Sequence, residues 1–364
     1  MKVTEVQVYQ LSYQVKKPYA NSRHYNRSRG ATYVEVKTDS GLVGWGESSG
    51  PPAKGDLEAH VIGKSPFDYE TIYDNLSRGG QNSRSVCGVE IALWDLMGKA
   101  LDLPVWQLLG GKQRDKVLAY ASGLFKPEGE DHAEALAKEA LRYRDAGFEA
   151  VKMKMGFGPE EDERIVSAVR NAIGEDIALA IDANCAYDPA TAIDSGKRTM
   201  AYDLLWYEEP IMPQDVNGYG MIKHALPTLR LAGAEGLEGT RSFRDLCQSR
   251  VIDVIQPDIS IAGGFTEMKR VAALADAHHI RIIPHMWGGN VRLAATLHYQ
   301  ATMRPDLPAA LNPFPCYCEY DMTENGLRTQ LGTTFPMEDG WVKIPEGPGL
   351  GVEVDREALE RFVI

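Results

Sequence analysis

Three carboxylates fall at matching places in three successive apolar runs: Asp182 after 177–181, Glu208 after 204–207 and Glu235 after 231–234. They stand 26 and 27 residues apart, about one strand–helix unit each. A single strand-end acid is commonly a helix cap. Three in register, aimed at one rim, repel one another unless a cation neutralises them, and an all-oxygen set favours Mg²⁺ over zinc. One run earlier stands Lys152-Met-Lys154. On a strand, residues i and i+2 share a face, so both ammonium groups point together while Val151, Met153 and Met155 take the other side. Two such cations beside a metal depress one another's pKa, which is what a lysine needs to act as a base near neutral pH.

Two later runs end Val254-Ile-Gln-Pro-Asp258 and Ile282-Ile-Pro-His285. A lone histidine is more often a satisfied core residue. Next to a strand-end aspartate from the neighbouring run, His285 reads as half of a dyad in which Asp258 holds one ring nitrogen and leaves the other to exchange a proton. Cys316-Tyr-Cys-Glu319-Tyr-Asp321 follows the last run, and Glu319, if protonated, can donate a hydrogen bond to a substrate oxygen. His278, His279 and His298 read as structural.

These groups need a scaffold that brings strand ends to one rim. From about residue 116, short apolar runs alternate with segments of helical period: 117–122, 150–155, 177–181, 204–207, 229–234, 251–256, 280–283 and 309–312. Eight runs over about 200 residues is the grammar of a (β/α)₈ barrel, whose catalytic groups sit where strands give way to the following loops. Upstream, residues 2–14 and 31–48 read as strands, the latter with a hairpin turn at Asp39-Ser-Gly41, and 56–102 as helical. Strands followed by helices predict an α+β domain. The expected class is therefore α/β: residues 1–112 an α+β capping domain, 113–324 the barrel, and 325–364 a segment returning to the cap. Between the first strands, residues 16–30 are polar and aromatic and read as a flap, with His24 and Arg27 positioned to meet an anion.

With 39 Lys and Arg against 51 Asp and Glu, the net charge is −12, and no basic run offsets it. That argues against nucleic acid and anionic membranes as partners. No apolar stretch approaches a membrane span, and the alternating N-terminus is unlike a signal peptide. Five scattered cysteines without CxxC spacing fit reduced thiols, so a cytoplasmic protein is expected. Other chemistries fail on their motifs. Gly63-Lys64-Ser65 has Glu58 where a phosphate loop needs its first glycine, and Gly347–Gly351 lacks the preceding strand of a dinucleotide site. There is no Gly-x-Ser-x-Gly elbow, and 119–122 lacks the His-x-His of a barrel zinc hydrolase.

In this order these residues resemble the enolase superfamily, mandelate racemase subgroup, over nearly the whole chain. The resemblance rests on Gly44-Trp-Gly-Glu47, Ala92-Leu-Trp-Asp95, the run from Leu103 to Gly111, Lys152-x-Lys154, Asp182-Ala-Asn184, Trp206-Tyr-Glu-Glu-Pro210, Gln256-Pro-Asp258 and His285. It implies a capped barrel in which Asp182, Glu208 and Glu235 bind Mg²⁺, with Glu208 preferred to Glu209 by spacing. It implies Lys154 and His285 on opposite faces of the substrate carbon, Lys152 on the carboxylate, Asn184 near metal-bound substrate oxygens, and Glu319 as an electrophilic acid. Asp258 disfavours the subgroups that carry a lysine there.

More narrowly, Gly123-Leu-Phe-Lys126, Met153-Lys-Met-Gly-Phe-Gly158, Pro284-His-Met-Trp-Gly288 and Glu319-Tyr-Asp321 look like galactarolactone and 3,6-anhydrogalactonate cycloisomerases. The chain departs from them at Gly233-Ala-Glu-Gly-Leu237 and Cys185, so its sugar pocket differs. Trp287 and His24 are expected near substrate. The expected reaction is removal of the proton α to a sugar-acid carboxylate, giving an enediolate stabilised by Mg²⁺ and Lys152. Elimination of a β-oxygen then yields a 2-keto-3-deoxy acid, with a ring-opening cycloisomerase favoured over a dehydratase. A racemase or epimerase is the runner-up, and an inactive ligand-binding relative is the alternative of another class. The expected partner is a small carboxylate substrate, with the chain forming a homo-oligomer.

Overall fold

The computed structural model describes residues 1–78, 82–304 and 314–364. It opens with three antiparallel strands, β1 (Val3–Ala20), β2 (Tyr25–Thr38) and β3 (Val43–Ser48). The helices α1 (Lys54–His60), α2 (Tyr69–Arg78) and α3 (Ser83–Leu101) follow. Val34 and Val36 on the sheet pack with Ile72, Leu76, Val89 and Leu93 on α2 and α3 in one apolar layer. Gly44 and Gly46 make that packing possible. A Cβ on either would collide with the α3 backbone, at Ala92 O and Gly88 O respectively. The Trp45 amide between them donates to Asp95 Oδ2 at 2.9 Å.

Residues 16–30 are not a loose flap. They extend β1 and β2 into a long hairpin turning at 21–24, whose base is zipped from Leu11↔Ala31 to Gln14↔Ser28. Of the polar and aromatic side chains that read as a loop, His24, Tyr25 and Arg27 are exposed on a two-stranded arm, while Tyr19 packs on Phe125 and Arg29 is buried. The short β5 (Lys126–Pro127), which follows the first barrel strand, pairs with the arm at Ala20 and Tyr19.

The parallel strands are β4 (Lys116–Ser122), β6 (Ala150–Lys154), β7 (Ala178–Asp182), β8 (Leu204–Glu208), β9 (Leu231–Gly233), β10 (Val254–Ile255), β11 (Arg281–Ile282) and β12 (Tyr317–Asp321). Parallel ladders link β4 through β11 in sequence order, and β12 pairs with β4. The expected eighth run, 309–312, lies outside the described residues. The place beside β4 belongs to Tyr317–Asp321, so Glu319 lies on a strand and not in a loop beyond one. After it, β13 (Met337–Glu338) and β14 (Trp341–Lys343) form a hairpin on β4, while Gly349 bridges to Pro104 and Val363 to Leu11.

Strand alternation divides the barrel's apolar residues into two cores. Val151, Met153, Leu179, Ile181, Tyr207 and Ile255 pack outward, with helix residues such as Leu136, Ile165 and Phe265 in the same cluster. Tyr120, Ala150, Ala180, Trp206, Ala232, Val254, Ile283 and Tyr317, one from each of the eight strand positions, cluster inside. Two residues further along each strand comes the next inward position. On seven of the strands those positions are Ser122, Lys152, Asp182, Glu208, Gln256, His285 and Glu319, while after β9 the alternation breaks and Ala234 packs in the outer cluster. An apolar plug thus lies under a ring rich in ionisable groups.

Candidate active site

The chain bends sharply where the strands end. Leu124, Asn184, Glu209 and Ala234 have φ of 53°, 46°, 38° and 77°, values that side-chain-bearing residues seldom adopt. Each lies just past a strand that carries a ring position, and such strain concentrates where geometry must be imposed. The turn at Ala234 sends that side chain to the outer cluster and presents Glu235 to the ring. Carboxylate oxygens of Asp182, Glu208 and Glu235 converge to within 4.8 Å of one another. Glu209 points elsewhere, accepting from the Ala234 amide at 3.2 Å and from Cys185 Sγ at 3.2 Å. Burial, then the nearby Glu235 and Asp182 charges, push Glu209 up to about 8.

The triad is bracketed by cations. Lys152 Nζ lies 2.5 Å from Glu208 Oε1, 2.8 Å from Glu319 Oε1 and 3.8 Å from Asp182 Oδ2, fully buried. Lys154 Nζ contacts Asp182 Oδ2 and lies 5.2 Å from the centre of the Phe125 ring. For Lys154, burial is the strongest influence and lowers the pKa. Asp182, Glu235 and Glu208 together outweigh burial and the repulsion from Lys152, so the ammonium is held above its ordinary value. The depression expected from the paired lysines is therefore outmatched while the carboxylates keep their full charge.

At the other end, His285 Nε2 is 3.3 Å from Glu235 Oε2, and Nδ1 is 2.6 Å from Asp258 Oδ2. Burial lowers the imidazole's pKa, but Glu235, Glu319 and Asp258 override it and raise it to about 9. Glu319 faces the same cations. Burial favours its neutral form, but Lys152, His285 and Lys154 prevail and hold it ionised, well below the usual carboxylate range. In this state it is an acceptor, taking the Met286 amide at 3.0 Å and Ser122 Oγ at 2.6 Å.

Asn184 is mostly buried beside the triad, its amide N donating to Asp182 Oδ1 at 2.8 Å, and its Oδ1 has no partner. That unpartnered oxygen and the converging carboxylates suit a hard, oxygen-seeking cation with a polar ligand. Trp287 packs against Phe125, ring centres 5.2 Å apart, with the Arg29 guanidinium 3.7 Å over its ring. Of the residues expected at the site, His24 and Arg27 are not gathered in. His24 is exposed at the hairpin turn, and its imidazole bonds to no site side chain among the described residues. The hairpin tip nonetheless reaches the rim, where Ser22 Oγ donates to Ala183 O at 2.7 Å. Arg27 pairs with Glu128 on the surface, whereas Arg29 is buried against Asp321 at 3.0 Å.

Several functional neighbours escaped the sequence reading. Trp206 Nε1 and Gln256 Nε2 donate to Glu208 Oε2 at 2.9 and 2.8 Å, fixing its orientation. Arg292 grips Asp258 with Nε, at 2.9 Å, and Nη2. Its one signal was a cation seven residues after His285. His298, read as structural, is so: buried, its Nδ1 accepts the Trp106 amide at 3.1 Å. A cavity of about 450 Å³ adjoins His285, Trp287 and Arg292 and reaches cap residues Thr32, Ser48 and Ser49. No helix among the described residues is long and apolar enough to cross a membrane.

Residues 3–110 match the family described as mandelate racemase / muconate lactonizing enzyme, N-terminal domain, and 135–358 match the enolase C-terminal domain-like family. A D-galactarolactone cycloisomerase from Agrobacterium fabrum is 39% identical, over 100% of this chain and 99% of that protein. An arabinonate dehydratase from Saccharolobus solfataricus is 29% identical over 90% and 89%. Among solved structures, the 3,6-anhydro-D-galactonate cycloisomerase of Zobellia galactanivorans superposes with a TM-score of 0.88 at 33% identity, covering 100% of both chains. A racemase from Streptomyces coelicolor with bound magnesium gives 0.87 at 26%, again over 100% of both.

Proposed function

Because the chain belongs to the mandelate racemase / muconate lactonizing enzyme family of the enolase superfamily, we propose that it takes a sugar-acid carboxylate, removes the α-proton and eliminates a β-oxygen. The product is a 2-keto-3-deoxy acid. A ring-opening cycloisomerase is the preferred form of the reaction, in line with the cycloisomerases among its relatives. The observation that carries this reading is the bracketing of one carboxylate triad by two proton carriers, Lys154 against Asp182 and His285 against Glu235.

Asp182, Glu208 and Glu235 would hold Mg²⁺, and Asn184 Oδ1 lies beside them. When bound, Mg²⁺ acts as a Lewis acid for the charge that gathers on the substrate carboxylate. Lys152 adds a fixed positive charge at the same place, in a buried site where electrostatic stabilisation is strongest. Asp258 accepts the hydrogen bond from Nδ1–H of His285, which leaves Nε2 to exchange a proton over the triad. Lys154 and His285 then divide the work, one removing the α-proton and the other serving the opposite face or the leaving oxygen.

A lactone ring oxygen departs as a carboxylate and needs no proton, whereas an ether oxygen or hydroxyl does. Two flanking carriers also suit a racemase, which returns the proton to carbon. A panel of sugar acids, their lactones and anhydro forms, incubated with Mg²⁺ and assayed for 2-keto acid, separates these readings. A 2-keto acid from any member supports elimination. Inverted substrate with no keto acid identifies a racemase, and neither outcome on the whole panel rejects the reading.

A further inference from the structure

The motif Gly44-Trp-Gly-Glu47 lies on the cap, yet its last residue reaches the acid–base dyad. Glu47 is 1% exposed at the end of β3. Its Oε1 accepts the Gly289 amide at 2.7 Å and its Oε2 the Arg292 amide at 2.9 Å. These are first-turn amides of the helix Asn290–Thr302, whose N-cap, Gly289, offers no side-chain cap of its own. A carboxylate there satisfies donors that the helix cannot and complements its dipole. Beside it, Tyr33 on β2 donates to Asn290 Oδ1 at 2.7 Å.

The approach is close enough to demand glycine. A Cβ on Gly288 would sit 2.6 Å from Glu47 Oε1, and one on Gly289 would strike the Tyr33 hydroxyl and lie 2.9 Å from Glu47 Oε2. The clamped backbone carries Arg292, whose guanidinium holds both oxygens of Asp258 and donates through Nη1 to Trp287 O at 2.9 Å. Asp258 in turn holds His285.

We propose that Glu47 is a positioning residue: from the cap it sets the backbone at 288–292, and through Arg292 and Asp258 it fixes the aim of His285 Nε2. The proposal rests on His285 being one of the two proton carriers. Among the described residues, the cap approaches Lys154 only through ring packing, Tyr19 on Phe125 and Phe125 beside the ammonium, and the Glu47 clamp does not touch that path, so its effect falls on one carrier only. Docking of the cap would thereby complete the acid–base pair, and the Gly-Trp-Gly-Glu run links the cap's packing on α3 to the chemistry. A misaimed catalytic group loses rate steeply with small displacement.

The test is a double-mutant cycle between Glu47→Ala and His285→Asn, with Gly289→Ala as an independent way to break the clamp. Turnover of a substrate found in the panel above is followed at saturating Mg²⁺, with Mg²⁺ affinity measured separately by calorimetry. Glu47→Ala and Gly289→Ala should each lower kcat by about 10- to 100-fold, with KM within about threefold and Mg²⁺ affinity within about twofold. Glu47→Gln, which keeps one acceptor oxygen, should lose less. In the His285→Asn background, Glu47→Ala should cost almost nothing more, because both act through one imidazole.

Equal losses in both backgrounds, an unchanged kcat, or a parallel fall in Mg²⁺ affinity would overturn the proposal. If His285→Asn alone retains near-normal turnover, the proposed function fails. If His285→Asn is crippled and Glu47→Ala is normal, this inference fails alone.

Discussion

The two ends of the carboxylate triad are built by different means. Lys154 is placed by one strand: Lys152 and Lys154 share the inner face of β6 by alternation, and Val151 and Met153 anchor the outer face. His285 is placed by assembly. It needs Asp258 from beyond β10, Arg292 from the following helix and Glu47 from the cap. A strand-borne group depends on local geometry that the barrel core already enforces. An assembled group inherits the errors of every element in its chain, and it can be weakened from a distance.

The largest effects should come from the shared centre. Removing divalent metal, or replacing Asp182 with Asn, is expected to abolish turnover, restored by Mg²⁺ only in the unmutated protein. Turnover surviving exhaustive chelation would place the chemistry elsewhere. Lys154→Ala and His285→Asn should each cost roughly 10²–10⁴-fold or more, with Mg²⁺ binding retained. Here the two ends can be set against each other. The carrier that protonates the leaving oxygen should matter much more for an anhydro or hydroxyl substrate than for a lactone. Equal losses on both substrate types would show that neither carrier has that role.

Asp258→Asn keeps a hydrogen-bonding side chain but removes the charge, and a loss of about 10- to 100-fold is expected, the worth of one hydrogen bond to a charged group. Among the described residues, Lys154 has no charged side chain behind it that plays the part Asp258 plays for His285; its neighbours are the triad's Asp182 and the Phe125 ring. The His285 end should also show in stability against pH. Its folded pKa, about 9, lies above the ordinary histidine value of 6.5, so its contribution is fully present below about 6.5 and is lost as pH rises through 9. For the metal-free protein that is at most about 3 kcal/mol. Melting curves of wild type and His285→Asn should converge across that range, and parallel curves would contradict the assignment. The smallest effect belongs to Arg27→Ala: its exposed pair with Glu128 is worth at most about 1 kcal/mol, and KM should hardly move. Arg29→Ala, which uncovers Trp287 and leaves Asp321 buried and unpaired, should be the costlier change at the arm.

What was legible in the sequence follows the same division. The triad, the Lys-x-Lys pair and the Asp258–His285 pairing each follow from strand ends and a period of two, and the packed structure brings all of them together. The hairpin arm was missed because its residues are mostly polar, with the buried Arg29 among them, and so lack an apolar alternation to mark the strands. The strand Tyr317–Asp321 was taken for a loop because Glu319 and Asp321 interrupt its apolar pattern. They are tolerated there because Lys152 and Arg29 neutralise them. The same lysine helps hold Glu319 ionised. Arg292, Gln256 and Glu47 act on site residues across gaps of 34 to 245 positions, and no local period announces such contacts.

The central claim is that the α-proton leaves between Lys154 and His285. It is tested most directly with a substrate deuterated at the α-carbon, following release of the label to water by wild type, Lys154→Ala and His285→Asn side by side with Mg²⁺ saturating. Wild type should release the label with turnover, and at least one of the two variants should abolish that release while still binding Mg²⁺. Near-normal release by both variants, or turnover by wild type with the α-label fully retained, would contradict the account.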